Sequence, residues 1–416
     1  MPTPPTPFHT FRHSSPLSAI VFSPDNTLLY CGDQDGYISV LDLGVRRVVG
    51  WWKAHEGGVL GVAELKGGLI SHGRDNLIHF YEPLKKPYIP VPTLVISSRS
   101  KGEAPPITKS LPTNALNFCR FSHVTLHSGK TLDRKGKDKE GIMAVPGLVD
   151  SELVDIYHIP SFRRLHASIN LSSKPTPQPS AADLPGASRS GLVMSLHLFF
   201  PPPSSSDEEL VGLVVAYEDG RLEVFSAPIS SLEQQYDARL SQRPNPWTVR
   251  WSGKGHNEAI MAAGVDSNGS RAWSVSADHR LVRYEFAEVW KGEREKNDEA
   301  VMKPYATKQI GNSSISISAD DKVVAVGGWD GKIRLFSAAT SKPLGSLSSH
   351  RETVHAIAFA HHSPMPPVDV EDPESTIDLA EESDEEVENK RERWMASGGK
   401  DGKVALWSLM DFSCRV

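Results

Sequence analysis

Residues 394–407 read WMASGGKDGKVALW: a run of apolar and small residues, a turn carrying Asp401-Gly402, and an alternating run that closes on Trp407. Asp-Gly between two apolar runs is a hairpin signal, because glycine accepts the positive φ of a tight turn. The same pattern returns at 28–41 (LLYCGDQDGYISVL) and 323–336 (VVAVGGWDGKIRLF). Weaker copies stand at 69–81 (LISHGRDNLIHFY), 213–225 (LVVAYEDGRLEVF) and 272–284 (AWSVSADHRLVRY), and the most degenerate one spans 142–157. Residues 19–26, 315–321 and 354–359 read as further strands, each preceding a hairpin. Seven hairpins with added strands predict a four-stranded unit repeated along the chain.

Such a repeat predicts an all-β fold, a seven-bladed propeller occupying 1–416 as one domain. After Trp407 too few residues remain for an outer strand and a further blade, whereas Phe8-His9-Thr10-Phe11-Arg12 is strand-like. The N-terminal strand is therefore expected to complete the last blade, clasping both ends and removing the free edge. Seven units of roughly 42 residues need only about 300. The surplus is expected as disordered insertions, Pro/Ser-rich or highly charged. They are 126–141, 201–209 and 362–393 between first and second strands, 227–247 and 287–301 between third and fourth, and 99–114 and 172–190 leading to first strands.

These units resemble the WD-repeat family, whose pattern places a His before the first strand, a Ser or Thr in the second, an Asp in the turn and a Trp in the third. The last blade carries His350, Ser397, Asp401 and Trp407. The second has His55, Ser71, Asp75 and Tyr81; the fifth has His256, Ser274, Asp278 and Tyr284. In the first, His13 and Asp35 match while Cys31 and Leu41 replace the Ser and Trp; Asp219 and Asp330 mark the turns of the fourth and sixth. The resemblance implies that the histidines, turn aspartates and serines hydrogen-bond to fix blade geometry.

Hydrophobic residues at 39% and charged residues at 23% support a sizeable core. Three scattered cysteines predict no disulfide framework. With no signal-like N-terminus and no apolar run long enough to span a bilayer, secreted and membrane classes are expected to be excluded. There is no Gly-rich phosphate loop, GxSxG, HExxH or CxxC, so no catalytic site, metal, cofactor or small-molecule ligand is expected. Asp33-Gln34-Asp35-Gly36 lacks the rest of a calcium loop. Function is then expected on loops carried by a rigid body. Gln34, Arg74, Trp329 and Lys400, each just before a turn Asp, are the candidate protein-binding residues on the narrow face, Trp and Arg being interface-prone types.

Between Asp369 and Glu388 stand eleven acidic residues and no basic one, a solvated loop or a ligand for a basic partner. Without them the formal charge of −6 becomes +5, too thin for direct DNA binding. Ser15-Pro16-Leu17, the FSPDN of 22–26, GDQDG of 32–36, WKAH of 52–55, SHGRDN of 71–76 and ASGGKDG of 396–402 resemble the ASTRA-associated branch of the WD-repeat family. That branch is the fungal counterpart of the G-protein β-subunit-like proteins. The resemblance implies a non-enzymatic scaffold subunit of a multisubunit complex, nuclear with the cytoplasm as a second compartment. Its implied partners are AAA+ ATPases, a kinase-like scaffold and helical-repeat chaperone subunits. Its implied roles are chromatin remodelling and maturation of PI3-kinase-like kinases. Two other readings stay open. A G-protein β subunit would need an N-terminal coiled coil, and 1–8 is Pro-rich without heptads. Nothing in the sequence excludes a ubiquitin-ligase substrate receptor.

Overall fold

The alternating runs become strands in the computed structural model, which describes residues 5–65, 68–91, 103–126, 141–170, 191–203, 208–307, 309, 311–362, 391–410 and 412. The strands form seven antiparallel sheets, the blades of a propeller. Blade 1 runs Leu17–Phe22, Leu28–Asp33, Tyr37–Asp42, Arg47–Lys53, and blade 2 runs Val59–Leu65, Gly68–Gly73, Leu77–Tyr81, Ile107–Pro112. Blades 3 to 6 begin at Ser122–Thr125, Val193–Phe199, Ile260–Val265 and Asn312–Ile317. Blade 7 takes Val354–Phe359, Trp394–Gly399 and Lys403–Ser408 from the C-terminal end. Its outer strand is His9–Arg12, with His9 opposite Leu406 and Arg12 opposite Lys403, so the ring closes as the repeat pattern predicts.

Second strands such as Leu28–Asp33, Gly141–Pro146 and Val323–Gly328 are buried along their whole length. Each blade is covered on both faces by its neighbours, so both sides of a strand must be apolar and runs such as VVAV carry no polar alternation. Among the described residues the apolar side chains sort into seven clusters, one at each junction between neighbouring blades. Trp51 and Trp52, adjacent on the outer strand of blade 1, are both buried: Trp51 stacks on Tyr37 at 5.2 Å and Trp52 meets Tyr81 edge-on at 6.0 Å. Fully burying such a ring stabilises the fold by roughly 3 kcal/mol.

Three expected insertions are corrected by the structure. Within 99–114, Ile107–Pro112 is the outer strand of blade 2, pairing with Leu77–Tyr81. An exposed edge strand needs no apolar pattern, and this one is exposed at nearly every position. Within 227–247, a 3-10 turn at Ile229–Glu233 is followed by Tyr236–Asp237, which adds a parallel fifth strand to blade 3 beside Arg164–Ile169. Ile229, Leu232 and Trp247 enter the cluster between blades 3 and 4, three anchors hidden among polar residues. Within 287–301, the helix Ala287–Trp290 and the turn Glu299–Val301 bury Val289, Trp290 and Val301, and the Trp290 Nε1–H donates to the Gly269 carbonyl at 2.8 Å. Residues 99–102, 127–140, 172–190, 204–207 and 363–390 of the expected insertions, the acidic run included, lie outside the described residues.

Closure rests on few residues. Phe8 meets Trp394 at 4.9 Å, and Phe8 and Phe11 pack against the cluster between blades 7 and 1. Deleting residues 8–11 is expected to lower Tm by about 5 °C or more, since ladder bonds and two half-buried rings are lost together. Scanning calorimetry checks this; an unchanged Tm would mean that blade 7 stands on three strands.

Candidate protein-docking site

In six blades a side chain braces the turn between the second and third strands. His55 Nδ1 lies 2.9 Å from Asp75 Oδ1 and its Nε2 lies 2.7 Å from Ser71 Oγ. His256 repeats this with Asp278 at 3.0 Å and Ser274 at 2.7 Å, and His350 with Asp401 at 3.1 Å and Ser397 at 2.8 Å. With a neutral imidazole, Nδ1–H donates to the carboxylate and the serine hydroxyl donates to Nε2. The chain continues outward: Trp407 Nε1–H donates to Ser397 Oγ at 3.0 Å, and Tyr284 OH lies 2.9 Å from Ser274 Oγ. Burial alone would raise the Asp278 and Asp401 carboxyls, but the histidine bonds and backbone N–H groups outweigh it and hold both below their ordinary range.

Blade 1 departs from the expected pairing of His13 with Asp35. His13 Nδ1 instead meets Asp33 Oδ2 at 3.1 Å, and its Nε2 meets Ser39 Oγ at 2.7 Å, from the third strand. The corresponding positions of blades 2 and 7 are Gly73 and Gly399, where a Cβ would lie 2.3 and 2.6 Å from the histidine ring. A side chain at Asp33 occupies that space and brings its own carboxylate to the ring, leaving Asp35 exposed at the surface. In blades 4 and 6 arginine takes the place of histidine: Arg221 Nη2–H donates to Asp219 at 3.1 Å, and Arg334 grips Asp330 with two bonds of 3.1 and 2.6 Å. His55, Asp75 and His79 come close enough to suggest a metal centre. The two rings, however, stack at 4.8 Å and 14°, so their in-plane lone pairs do not converge, and His79 Nδ1 is bonded to Ser110 Oγ at 2.8 Å.

With the aspartates held below, the preceding residues stand above. Gln34, Arg74, Trp329 and Lys400 are all exposed. Trp329 lies on Gly311, where a Cβ would come within 2.2 Å of the indole, yet 46% of its surface is open. Lys400 faces Glu352 at 3.6 Å. Both Arg74 and Lys400 act electrostatically on His355 of the innermost blade 7 strand, so the two cations converge at the channel mouth.

Sequence reasoning missed the apolar part of this face. The Arg74 guanidinium lies 5.2 Å over the ring of Phe118, which is 51% exposed; Leu116 on the same loop is 78% exposed, and so is Val149, which with Leu148 follows Gly147 on the turn that this loop is bonded to. Two asparagines hold this loop rigid. Asn114 accepts from the Leu116 N–H at 2.8 Å and donates to the Gly147 carbonyl at 2.6 Å. Asn117 accepts from the Cys119 N–H at 2.7 Å and donates to the carbonyls of Ser151 and Val193. The signal was present as Asn114-Ala115-Leu116-Asn117-Phe118, two turn-forming asparagines alternating with large apolar residues. A fixed apolar patch rimmed by an arginine is a surface suited to docking a protein.

Two predictions follow from the bracing. Asp33→Ala should cost roughly 2–4 kcal/mol, because it strands a buried imidazole, whereas Asp35→Ala should change stability by about 0.5 kcal/mol or less. Urea denaturation of the two variants reads the difference; equal losses would restore the Asp35 pairing. The second concerns pH. Burial holds His55 at about 4 against the Asp75 carboxylate, and holds His72 at about 3. Unfolded imidazoles titrate near 6.5, so the unfolded chain takes up these protons first. Stability is therefore full above about pH 6.5 and declines as pH falls toward about 4. Tm measured across this window should fall, and His72→Gln should flatten the slope by about 1.4 kcal/mol per pH unit at most; a slope that His72→Gln leaves unchanged would contradict a neutral buried ring.

Comparison with known proteins agrees with this geometry. A family model described as WD domain, G-beta repeat matches residues 5–42 and 306–337. The first of these begins on the outer strand of blade 7 and continues through three strands of blade 1, the overlap that the closing strand requires. ASTRA-associated protein 1 of Aspergillus flavus is 30% identical, with 98% of each chain covered. The protein of that name from Penicillium rubens is 29% identical over 98% of each chain. That of Schizosaccharomyces pombe is 25% identical over 85% of this chain and 93% of its own. A repeat pattern, a closed ring of seven blades and full-length similarity at this level place the chain in the WD-repeat family, in the group that contains the fungal ASTRA-associated protein 1.

Proposed function

We propose that the protein is a non-enzymatic scaffold subunit of a nuclear assembly of the ASTRA type. The observation that carries this reading is the rigid, exposed patch of Leu116, Phe118, Leu148 and Val149 with Arg74 above it, on a propeller whose buried polar groups brace its blades. Its relatives bear a name that associates them with such a complex. The partners in this reading are AAA+ ATPases, a kinase-like scaffold and helical-repeat chaperone subunits, and the roles are in chromatin remodelling and in maturation of PI3-kinase-like kinases. A large apolar side chain on the partner would fill the space beside Phe118, and a carboxylate would pair with Arg74 or Lys400.

Affinity purification from the native cell followed by mass spectrometry tests the reading. The tagged protein should recover the ATPases and the kinase-like scaffold. Leu116→Ser with Phe118→Ser, and separately Arg74→Ala with Trp329→Ala, should each reduce that recovery by roughly tenfold while shifting Tm by only about 2 °C, since exposed side chains contribute little to folding. Recovery of ubiquitin-ligase subunits without ATPase or kinase-like scaffold would replace this reading with that of a substrate receptor.

A further inference from the structure

The innermost strands carry a regular defect. Six of the seven slip register against their second strand at the same place, skipping Ser18, Leu60, Met194, Met261, Ser313 and His355. Each skipped residue is at least partly exposed between two buried neighbours, and Arg120 in blade 3 shows the same pattern between Cys119 and Phe121. Blades cover these strands on both sides, so the water that these residues meet is that of the central channel. They form one ring around its wall. Three residues further along, His123 and His197 occupy the next ring, between half-buried Val21 and Ser316 and the small residues Ala63, Gly264 and Ala358.

The two rings contain an arginine and three histidines and no carboxylate. Among the described residues, Arg120, His123 and His197 make no hydrogen bond or ion pair with another side chain, and His355 Nε2 is buried without a partner. Arg120 and His123 both act electrostatically on His197, and His361, just past the blade 7 inner strand, acts on His123. The groups therefore gather on the side of the channel formed by blades 3 and 4. Although Arg120 is open to channel water, protein encloses it, and this desolvation holds its pKa below the ordinary arginine value. Enclosure likewise holds His123 and His197 at about 4, so near neutral pH each presents one N–H donor. A guanidinium that faces channel water without a carboxylate beside it keeps its N–H donors available to an anion. At the mouth Arg74 and Lys400 act on His355, with Glu352 beside Lys400 offsetting part of that charge.

We propose that the central channel is an anion site in which Arg120 anchors a small phosphate-bearing ligand, flanked by His123 and His197. The planar guanidinium offers two parallel N–H groups to two oxygens of a phosphate, and the imidazoles supply donors to the others. Arg120 stands in a ring with Leu60, Met194 and Met261, recessed from the face where Phe118 and Trp329 lie, so a small free anion reaches it more readily than a side chain of a docked protein.

Isothermal titration of the full chain at constant ionic strength provides the test, with tripolyphosphate as probe and inorganic phosphate, sulfate and a hexaglutamate peptide as comparisons. Tripolyphosphate is expected to bind with one site per chain and to raise Tm. Arg120→Gln should weaken it by at least about tenfold, while the exposed Lys85→Gln should leave it unchanged. Arg120→Gln removes an unpaired charge and is expected to fold with an undiminished Tm. Should it fail to fold, Arg120→Lys and the histidine C2–H resonances of the wild type serve instead: bound tripolyphosphate should raise the titration midpoints of His123 and His197. No binding at about 10 mM, equal binding by the Gln variant, or unmoved histidine midpoints would overturn the proposal. Binding of hexaglutamate at Arg120 in the absence of tripolyphosphate binding would also overturn it, in favour of a protein carboxylate.

Discussion

Along Leu28–Asp33, successive side chains belong to different hydrophobic clusters: Leu29 and Cys31 pack toward blade 7, Leu28 and Tyr30 toward blade 2. Every blade repeats this division, so among the described residues the apolar burial lies in the junctions between blades. A blade removed from its neighbours would expose two apolar faces, and an open ring would expose two more at its ends. This is the constraint from which the other features follow. It explains why the strands are apolar on both sides, and why the first and last strands of the chain share one sheet.

A wall built this way leaves its polar groups to hold turns rather than to perform chemistry. The histidines of blades 2, 5 and 7 each join a turn aspartate to a serine in the second strand, so the turn is tied to the middle of the sheet. Blades 4 and 6 reach the same end with arginines, and blade 1 with an aspartate two residues earlier. The requirement is an anchored turn; the identity of the cation or imidazole that anchors it varies. The residues just before four of these turn aspartates, Gln34, Arg74, Trp329 and Lys400, are exposed on the narrow face. The rigid Asn114–Phe118 loop extends that face with apolar groups that a partner could cover.

The hairpins were legible because Asp-Gly turns and two-sided apolar strands are local signals, visible within a dozen residues. So was closure, since the count of strands left one vacancy at the end and one spare at the start. Three kinds of feature were not. Ile107–Pro112 is an exposed outer strand with no apolar pattern, so its pairing with blade 2 is invisible until the sheet is built. Residues 227–247 and 287–301 look polar on average, yet Leu232, Trp247 and Trp290 fix them to the body. In blade 1 alignment with the repeat points to Asp35, whereas a carboxylate two positions earlier is closer to the ring of His13.

By itself the sequence determined the seven-bladed ring, because the period of its turns and the apolarity of its strands admit no other way to bury both faces of every sheet. It also determined the positions at which turn-adjacent residues would be exposed. Only the tertiary structure decided which side chains come together: Arg74 with Phe118 across a connection of more than forty residues, Asn114 with the Gly147 carbonyl, and Arg120 and His123 near enough to His197 to act on it electrostatically. Such encounters depend on how neighbouring blades are rotated and where an inner strand slips by one residue. Both are set by packing summed over the whole ring, and neither is encoded at any single position.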